Sequence, residues 1–353
     1  MRNETIILNK ERNVTLTAYL QEVNGEFSNI PKRPAVLVLP GGGYSMCSAR
    51  EADPVALAYL QAGFQAFVLK YSVGKDAVWP NPLQDYEQAM ELIRTKAEEW
   101  NLYADKIAVI GFSAGGHLAA CAASIAKNKP DAAILGYAVT EEKTARACLE
   151  SAPDVVSCVD GNTCPCFVFA ARTDNVVPVS NSIRFVNALS ENGVMFESHI
   201  YAYGPHGFST ANSSTLMSET DICSRALRWT EDSIAWLKDI WGDFGLGKMT
   251  EPKCKRIMNG DHSPYLSLDC TIGLLMSNPE AKVVIGPVMA EIQKNMVERY
   301  GGEKVETQGT ATDMSALLAD ITLKDLMTTG KIPDCVAEEM DLKLKKIENK
   351  VII

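Results

Sequence analysis

A series of short, uninterrupted apolar runs that alternate with helical patterns most constrains the fold of this chain. Five runs rich in β-branched residues occupy positions 35–39, 66–69, 107–110, 132–135 and 167–170, and a more alternating segment follows at 197–203. A strand that is apolar at every position is buried on both faces, which is typical of a parallel sheet. Helical patterns occupy 54–61, 83–100, 116–126, 180–192 and 218–241. The alternation predicts an α/β protein with a doubly wound, mostly parallel sheet.

The two ends of the chain complete the predicted architecture. Residues 5–8 and 15–21 have the pattern of an antiparallel pair at one edge of the sheet. After the glycine-containing stretch 242–247 the strand runs stop, and helical stretches rich in Met, Lys and Glu follow. We therefore predict an α/β domain over 1–247 and a small all-helical C-terminal domain over 248–353. Segment 271–277 matches segment 322–328, which leaves open either two weak helical repeats or a chance similarity.

Charge and composition exclude several classes of partner. The 353-residue chain carries a net charge of −10 and has no cluster of Lys and Arg of the kind that nucleic acids or anionic membranes require. No apolar run reaches the length of a membrane span, and the N-terminus lacks the apolar core of a signal peptide. We therefore expect a cytoplasmic protein with no nucleic-acid or membrane partner. A homo-oligomer remains open.

The ten cysteines are scattered along the chain and do not form a disulfide pattern. Cys121, Cys166, Cys223 and Cys270 sit in apolar segments, where reduced cysteines act as small core residues. The group around Cys164 lacks both the CxxC spacing and a nearby histidine. We predict free thiols and no metal site.

The strongest local motif lies between the strand at 107–110 and an Ala-rich helix. Its residues are Gly111-Phe112-Ser113-Ala114-Gly115-Gly116-His117. A tight turn from strand to helix exposes a serine hydroxyl above the sheet, and its neighbours must be small because chain segments approach closely there. The N–H groups at the start of the helix point at the reacting centre. The motif predicts Ser113 as a nucleophile.

A second glycine-rich motif, Pro40-Gly41-Gly42-Gly43-Tyr44, directly follows the strand at 35–39. Hydrolases that use a strand-to-helix serine turn place the rest of the oxyanion hole in such a loop. We predict that the N–H groups of Gly42, Gly43 and Ala114 hold the oxyanion. The spacing fits neither a GxGxxG dinucleotide motif nor a P-loop.

A serine nucleophile needs a base, and the base needs a partner that fixes its tautomer. His206 lies on the loop after the last predicted strand, where the chain order Ser, Asp, His places the base. Asp174 directly follows the strand at 167–170 and is the predicted acid. Asp154 and Asp160 remain alternatives, although neither ends a strand.

Two other histidines have ordinary structural interpretations. His117 lies inside the helix after the serine turn, where we expect it to pack or cap, and His199 lies within a predicted strand.

In this order, the motifs resemble the bacterial acetyl-esterase and lipase-like α/β hydrolases, related to the hormone-sensitive-lipase branch. The segments that carry the resemblance are Pro40 to Tyr44, Ser48-Ala49-Arg50-Glu51, Pro80-Asn81-Pro82-Leu83-Gln84-Asp85, Gly111 to Ala119, Asp174 with Val177-Pro178, and Gly204-Pro205-His206-Gly207. Pro40 replaces the histidine that opens this loop in the hormone-sensitive-lipase branch, but proline is familiar in the acetyl-esterase subset. The tail resembles small helical modules fused to such esterases.

The resemblance implies an α/β-hydrolase fold and a serine esterase that removes short acyl groups, acetyl first, from sugars or oligosaccharides through an acyl-enzyme, without a metal or organic cofactor. Tyr44 and Glu51 are candidate contacts of the substrate. For Glu51, a surface pair with Arg50 is favoured over a contact with a sugar hydroxyl, because exposed charged pairs are common. A serine peptidase-like hydrolase and a non-catalytic ligand-binding protein on the same fold remain open.

Overall fold

A computed structural model describes residues 1–27, 29–215, 221–254, 259–261, 263–300 and 318–350. The chain divides into two compact units, Met1–Arg256 and Ile257–Ile353. The predicted boundary at 247/248 lies before this division. The reason is that the chain turns back after residue 247: the N–H of Thr250 donates to Asp243 O at 2.8 Å and that of Lys253 to Asp239 O at 2.7 Å.

The first unit contains one sheet of eight strands in the order β1-β2-β4-β3-β5-β6-β7-β8. The strands are β1 Arg2–Asn9, β2 Val14–Leu20, β3 Arg33–Leu39, β4 Gln65–Lys70, β5 Leu102–Phe112, β6 Ala132–Gly136, β7 Cys166–Ala171 and β8 Phe196–Tyr201. Strand β2 pairs antiparallel with β1 and β4, and the remaining pairs are parallel. The predicted mostly parallel sheet, with an antiparallel pair at one edge, is confirmed.

Helices cover both faces of the sheet. In the first unit they are α1 Asp53–Gln61, α2 Asn81–Thr95, α3 Ser113–Ser124, α4 Glu142–Cys148, α5 Ser180–Glu191 and α6 Trp229–Trp241. Successive residues of β3 join different hydrophobic clusters. Leu37 packs in the cluster that contains residues of α2, α3 and α5, whereas Val36 packs in the one that contains residues of α1 and α6. This alternation gives the sheet a core on each side.

The predicted helix at 218–241 is shorter in the structure. Residues 216–220 lie outside the described residues, and a 3₁₀ turn at Ser224–Arg228 precedes α6. The N–H of Cys223 donates to Tyr203 O at 3.2 Å. That bond ties the segment to the end of β8, so its N–H groups do not follow an α-helical pattern here. Helical spacing of apolar residues does not reveal such a tertiary bond.

The second unit is built from helices α7 Ile272–Ser277, α8 Pro279–Tyr300, α9 Leu323–Thr329 and α10 Asp334–Leu344. The two segments with matching sequences begin α7 and α9 in the same way. Each helix has a threonine N-cap, Thr271 or Thr322, whose side chain accepts a backbone N–H three residues later. The two threonines also form an antiparallel bridge with each other. The sequence match therefore coincides with a structural equivalence at these two caps.

Within the described residues, no helix is long and apolar enough to cross a bilayer. All ten cysteines are free; Cys254 and Cys335 are exposed, while the core cysteines named from the sequence are buried. In the same part of the chain, no group of three or more His, Cys, Asp and Glu side chains is placed to hold a metal.

The cap of α9 gives a test of this architecture. Thr322→Ala removes the oxygen that accepts the Asp325 N–H at 3.1 Å, so we expect a local loss of about 1 kcal/mol. Hydrogen–deuterium exchange of the α9 amides should accelerate about fivefold in this variant. Thr322→Ser keeps the accepting oxygen and should leave the exchange near the wild-type rate. Equal acceleration in both variants would contradict the capping role.

Candidate active site

Ser113 stands at the sharp turn where β5 passes directly into α3. Its φ of +51° lies in the left-handed region, which is costly for a residue with a Cβ. The helix that follows the turn runs very close to the neighbouring strand β3, so only small residues fit between them. A Cβ on Gly115 would lie 2.2 Å from Leu39 O. The small residues in the motif are therefore a packing requirement of the turn.

His206 and Asp174 meet Ser113 across the carboxyl end of the sheet. His206 Nε2 lies 2.9 Å from Ser113 Oγ, and His206 Nδ1 lies 2.7 Å from Asp174 Oδ2. The carboxylate accepts the Nδ1 proton, so Nε2 is left as the acceptor for the serine hydroxyl. The Asp174 side chain is fully buried, and that of His206 is 16% exposed. The structure brings together the three residues that the sequence predicted.

The turn after β7 fixes the Asp174 carboxylate. Oδ1 accepts the N–H groups of Val176 at 2.8 Å and Val177 at 2.9 Å, which leaves Oδ2 for the histidine. The neighbouring Thr173 bonds to the loop that follows β8 and carries His206, the histidine loop (residues 204–211). Its Oγ1 donates to Gly204 O at 3.2 Å and accepts the Gly204 N–H at 3.0 Å. The Thr173 side chain therefore ties the loop of the acid to the loop of the base, in addition to the contact between Asp174 and His206.

Three buried hydrogen bonds hold the glycine loop 40–44. The Tyr71 hydroxyl donates to Pro40 O at 2.6 Å, and the Gly41 N–H donates to Glu51 Oε2 at 2.9 Å. The Tyr44 hydroxyl lies 2.8 Å from His117 Nδ1. His117 Nε2 lies 3.0 Å from Pro153 O, which can only accept, so Nε2 carries the proton and the Tyr44 hydroxyl donates to Nδ1.

The middle of this loop keeps its N–H groups available. Within the described residues, no hydrogen bond engages the N–H of Gly42 or Gly43. Gly42 has a φ of +129°, and a Cβ there would lie 2.2 Å from Met46 O. Ala114 is the second residue of α3, and the first N–H groups of a helix have no intrahelical carbonyl. Three backbone donors are therefore free of helical or loop partners beside Ser113.

The side chains of Tyr44 and Glu51, the two candidate substrate contacts, are buried in the structure. Tyr44 is 2% exposed and Glu51 is 3% exposed, and both side chains are engaged in holding the glycine loop. The surface pair of Arg50 and Glu51 is also not observed. The Arg50 guanidinium instead donates to Gly207 O at 2.9 Å and Thr215 O at 2.7 Å. Glu51 is the buried residue of the short 3₁₀ helix Ala49–Glu51, and Arg50 is half-buried.

Sequence reasoning missed Tyr137, which directly follows β6. Its hydroxyl donates to Glu51 Oε1 at 2.7 Å and accepts the Ser209 N–H at 3.0 Å. Its ring centroid lies 5.0 Å from that of His206. A signal was available, because a tyrosine at the carboxyl end of a buried strand lies at the edge where ligands bind in such sheets.

The alternative residues lie elsewhere. Asp160 accepts the N–H of Asn162 at 2.9 Å within its own turn, and Asp154 forms a turn in which its carbonyl accepts the Ser157 hydroxyl. His199 lies on β8, where it bonds to Glu197 and stacks on Phe167. None of these contacts includes Ser113.

Two family models match consecutive parts of the chain. The BD-FAE model matches residues 27–143, and the Prolyl oligopeptidase family model matches residues 140–230. The first match contains Ser113, and the second contains Asp174 and His206. Among solved structures, MGS-M1, an alpha/beta hydrolase enzyme from a Medee basin deep-sea metagenome library, is 41% identical with a TM-score of 0.63. The alignment covers 67% of this chain and 97% of that protein.

The chain belongs to the α/β-hydrolase family. Its resemblance to acetyl esterases is confirmed by two further relatives. The acetyl ester-xyloside bifunctional hydrolase of Caldicellulosiruptor lactoaceticus is 30% identical with a TM-score of 0.57, over 65% of this chain and 88% of that one. An acetylxylan esterase of Xylanibacter ruminicola is 29% identical over 206 residues, which are 51% of this chain and 42% of the relative. This α/β hydrolase spans at most about half of the curated relatives that it matches.

His117 makes the stability of this α/β hydrolase depend on pH. Burial lowers the pKa of His117 from 6.5 to about 4, because the charged imidazolium loses its hydration. The unfolded chain therefore binds this proton at a higher pH than the folded chain does. The contribution to stability is complete above about pH 6.5 and declines as the pH falls toward 4.

A non-titrating variant measures this contribution. The side-chain amide of His117→Gln can accept from Tyr44 and donate to Pro153 O. Between pH 7 and pH 5 the free energy of unfolding of the wild type should fall by about 2 kcal/mol more than that of this variant. Denaturant titrations of both proteins at the two pH values test this. Parallel losses would show that His117 does not titrate as its burial indicates.

Proposed function

We propose that this chain is a serine ester hydrolase that removes short acyl groups, acetyl first, from carbohydrate substrates. The observation that carries the proposal is the pair of hydrogen bonds that joins Asp174, His206 and Ser113, 2.7 Å between Asp174 Oδ2 and His206 Nδ1 and 2.9 Å between His206 Nε2 and Ser113 Oγ. Such an arrangement activates a weakly nucleophilic serine hydroxyl at neutral pH. It lies beside the free N–H groups of the glycine loop.

In the proposed acylation step, Ser113 Oγ attacks the ester carbonyl carbon while His206 Nε2 takes the hydroxyl proton. The buried Asp174 carboxylate stabilises the imidazolium and keeps its ring oriented. The carbon–oxygen bond to the alcohol then breaks, and the imidazolium gives its proton to the leaving alcohol oxygen. The product is an acyl-Ser113 ester and a free sugar hydroxyl.

Deacylation repeats the same steps with water. His206 accepts a proton from water as the water oxygen attacks the acyl carbon, and it returns that proton to Ser113 Oγ as the carboxylic acid leaves. In both tetrahedral intermediates the oxyanion is held by the N–H groups of Gly42, Gly43 and Ala114. Each donor of this type typically lowers the barrier by about 3 kcal/mol.

We propose an acetylated carbohydrate as the substrate on the basis of the names of two relatives. One relative is named for acetyl esters and xylosides, and the other for acetylxylan. These names support acetyl as the acyl group and a plant polysaccharide fragment as the alcohol.

A peptidase is the second candidate, because the Prolyl oligopeptidase family model matches residues 140–230, which contain Asp174 and His206. The same three residues can attack a peptide bond, so the distinction must come from the substrate. Gly-Pro-p-nitroanilide and p-nitrophenyl acetate release chromophores with the same nitrophenyl ring, and their kcat/KM values can be compared directly. We expect turnover of the ester only. Efficient hydrolysis of the anilide would favour the peptidase.

Substitution of the three residues tests the mechanism. Ser113→Ala and Asp174→Asn should each lower kcat on p-nitrophenyl acetate by about 10⁴-fold or more. The first variant lacks the nucleophile, and the second favours the wrong tautomer of the His206 imidazole. Asp160→Asn changes a carboxylate that accepts the Asn162 N–H and pairs with Lys129 at 3.9 Å, without a contact to the three residues, and serves as the matched control with wild-type kcat. Full activity of Ser113→Ala would rule out the acyl-enzyme.

The substrate class is tested with two series. Acetate, butyrate and octanoate p-nitrophenyl esters report the acyl preference, and acetylated xylo-oligosaccharides report the alcohol. We expect kcat/KM to be highest for acetate and acetate to be released from the oligosaccharides. A wild type that is inert on every ester would favour a ligand-binding protein on this fold.

A further inference from the structure

We infer that Glu51 is a positioning residue whose carboxylate links two loops. One is the glycine loop 40–44, called the oxyanion loop below, and the other is the histidine loop 204–211, which carries His206. This inference rests on the proposed ester hydrolysis for its catalytic consequence, but the link itself can be measured without turnover. It replaces the expected contact of Glu51 with a substrate hydroxyl.

Both oxygens of the Glu51 carboxylate are used. Oε2 accepts the N–H of Gly41 at 2.9 Å, and Oε1 accepts the hydroxyl of Tyr137 at 2.7 Å. Gly41 directly precedes the two glycines whose N–H groups we propose as oxyanion donors. A Cβ on Gly41 would lie 2.6 Å from Oε2 and 3.1 Å from the Cβ of Ser113. The carboxylate therefore sits immediately behind the nucleophile and the oxyanion loop.

The other half of the link runs through Tyr137. Its hydroxyl accepts the N–H of Ser209 at 3.0 Å, three positions after His206. Its ring centroid lies 5.0 Å from that of the His206 imidazole and 4.9 Å from that of the Phe208 ring. Tyr137 has a φ of +35° and is buried, so the surrounding structure holds it in a costly backbone conformation.

Arg50, the preceding residue, reinforces the same connection. Its guanidinium donates to Gly207 O and Thr215 O, and its own carbonyl accepts the hydroxyl of Ser209. Two consecutive residues of one short 3₁₀ helix therefore hold the histidine loop, while one of them also holds the oxyanion loop. The base and the oxyanion donors come from distant parts of the chain, and this helix sets their separation.

Only a carboxylate at position 51 satisfies both donors at once. Gly41 N–H and Tyr137 O–H both donate, so residue 51 must present two acceptors. An amide presents one oxygen and one NH₂ group. If its oxygen faces Gly41, Tyr137 receives two N–H donors and its own proton has no acceptor; if it faces Tyr137, two N–H groups confront each other. A buried mismatch of this kind must be relieved by moving one of the loops.

The first readout is kinetic. Glu51→Gln should lower kcat on p-nitrophenyl acetate by about 100-fold, the size of effect that a misplacement of about 1 Å has on a pre-organised site. KM should stay within about twofold, because no bond to the ground-state ester is lost. Affinity for phenylboronic acid, whose serine adduct presents an oxyanion, should fall in parallel with kcat.

The second variant tests the route of the link. Tyr137→Phe keeps the bond between Glu51 and Gly41 and removes the one that reaches Ser209, so we expect a smaller loss of about tenfold in kcat. The Glu51→Gln/Tyr137→Phe double variant should be no more than about threefold worse than Glu51→Gln, because both changes break one chain of contacts. Losses that multiply would overturn the shared route.

Asp85→Asn is the matched control for the loss of a buried carboxylate. Asp85 is fully buried on α2, and its oxygens accept from Ser72 and Arg12, outside the two loops. This variant should lower the Tm but keep the wild-type kcat. If Glu51→Gln and Asp85→Asn change kcat equally, the effect of Glu51 is one of general stability and the inference is wrong.

The readout that needs no turnover is hydrogen–deuterium exchange of residues 41–46 and 204–211. Both segments should exchange faster together in Glu51→Gln and keep the wild-type rate in Asp85→Asn. Faster exchange in only one segment would overturn the link even if the protein hydrolyses no ester. Conversely, an active wild type with an inactive Ser113→Ala and a fully active Glu51→Gln would leave the proposed function standing and remove Glu51 from it.

Discussion

The left-handed backbone at Ser113 is the constraint on which the rest of the site depends. Holding a residue with a side chain at a φ of +51° costs about 1–3 kcal/mol, and the cost is borne only because the neighbours over-determine the turn. Phe112 is buried at the end of β5, and the carbonyl of Ser113 accepts the N–H of Val139 at 3.1 Å. The loops after β3, β7 and β8 must then fit around a hydroxyl whose position is already fixed.

Buried polar side chains do most of this fitting. Pro40 and Gly41, the first two residues of the glycine loop, are buried; the Pro40 carbonyl accepts from Tyr71, and the Gly41 N–H donates to Glu51. A satisfied hydrogen bond adds only about 0.5–1.5 kcal/mol to stability, but leaving a buried group unpaired costs about 1–3 kcal/mol. The partners therefore act mainly by penalising other loop conformations. This is how a loop rich in glycine can hold one shape.

The parts of the fold that sequence reasoning predicted are those encoded locally. The five apolar runs became parallel strands because burial on both faces leaves a continuous pattern that is visible in sequence. Ser113, Asp174 and His206 could be named because each directly follows a strand or motif, and the carboxyl ends of parallel strands share one edge. Local sequence patterns do not reveal distances, so the structure alone shows that the three residues lie within hydrogen-bond distance.

The features that sequence reasoning did not foresee depend on partners far away in the chain. Glu51 and Tyr44 look exposed in sequence because charged and phenolic side chains usually reach solvent. Their burial follows from acceptors and donors at Tyr137 and His117, which no spacing rule connects to them. The predicted start of α6 was wrong for the same reason, since the hydrogen bond from Cys223 N–H to Tyr203 O belongs to the tertiary structure.

The distribution of the thiols has a consequence for the chemistry that can reach this protein. The reactive form of cysteine is the thiolate, and burial raises the pKa of Cys121 and Cys166 well above the ordinary value, while that of Cys47 rises to about 11. Electrophiles and peroxide therefore meet Cys254 and Cys335 first, since both are exposed and neither belongs to a hydrophobic cluster. We therefore expect thiol oxidation at these two exposed side chains before the buried cysteines, despite a high cysteine content.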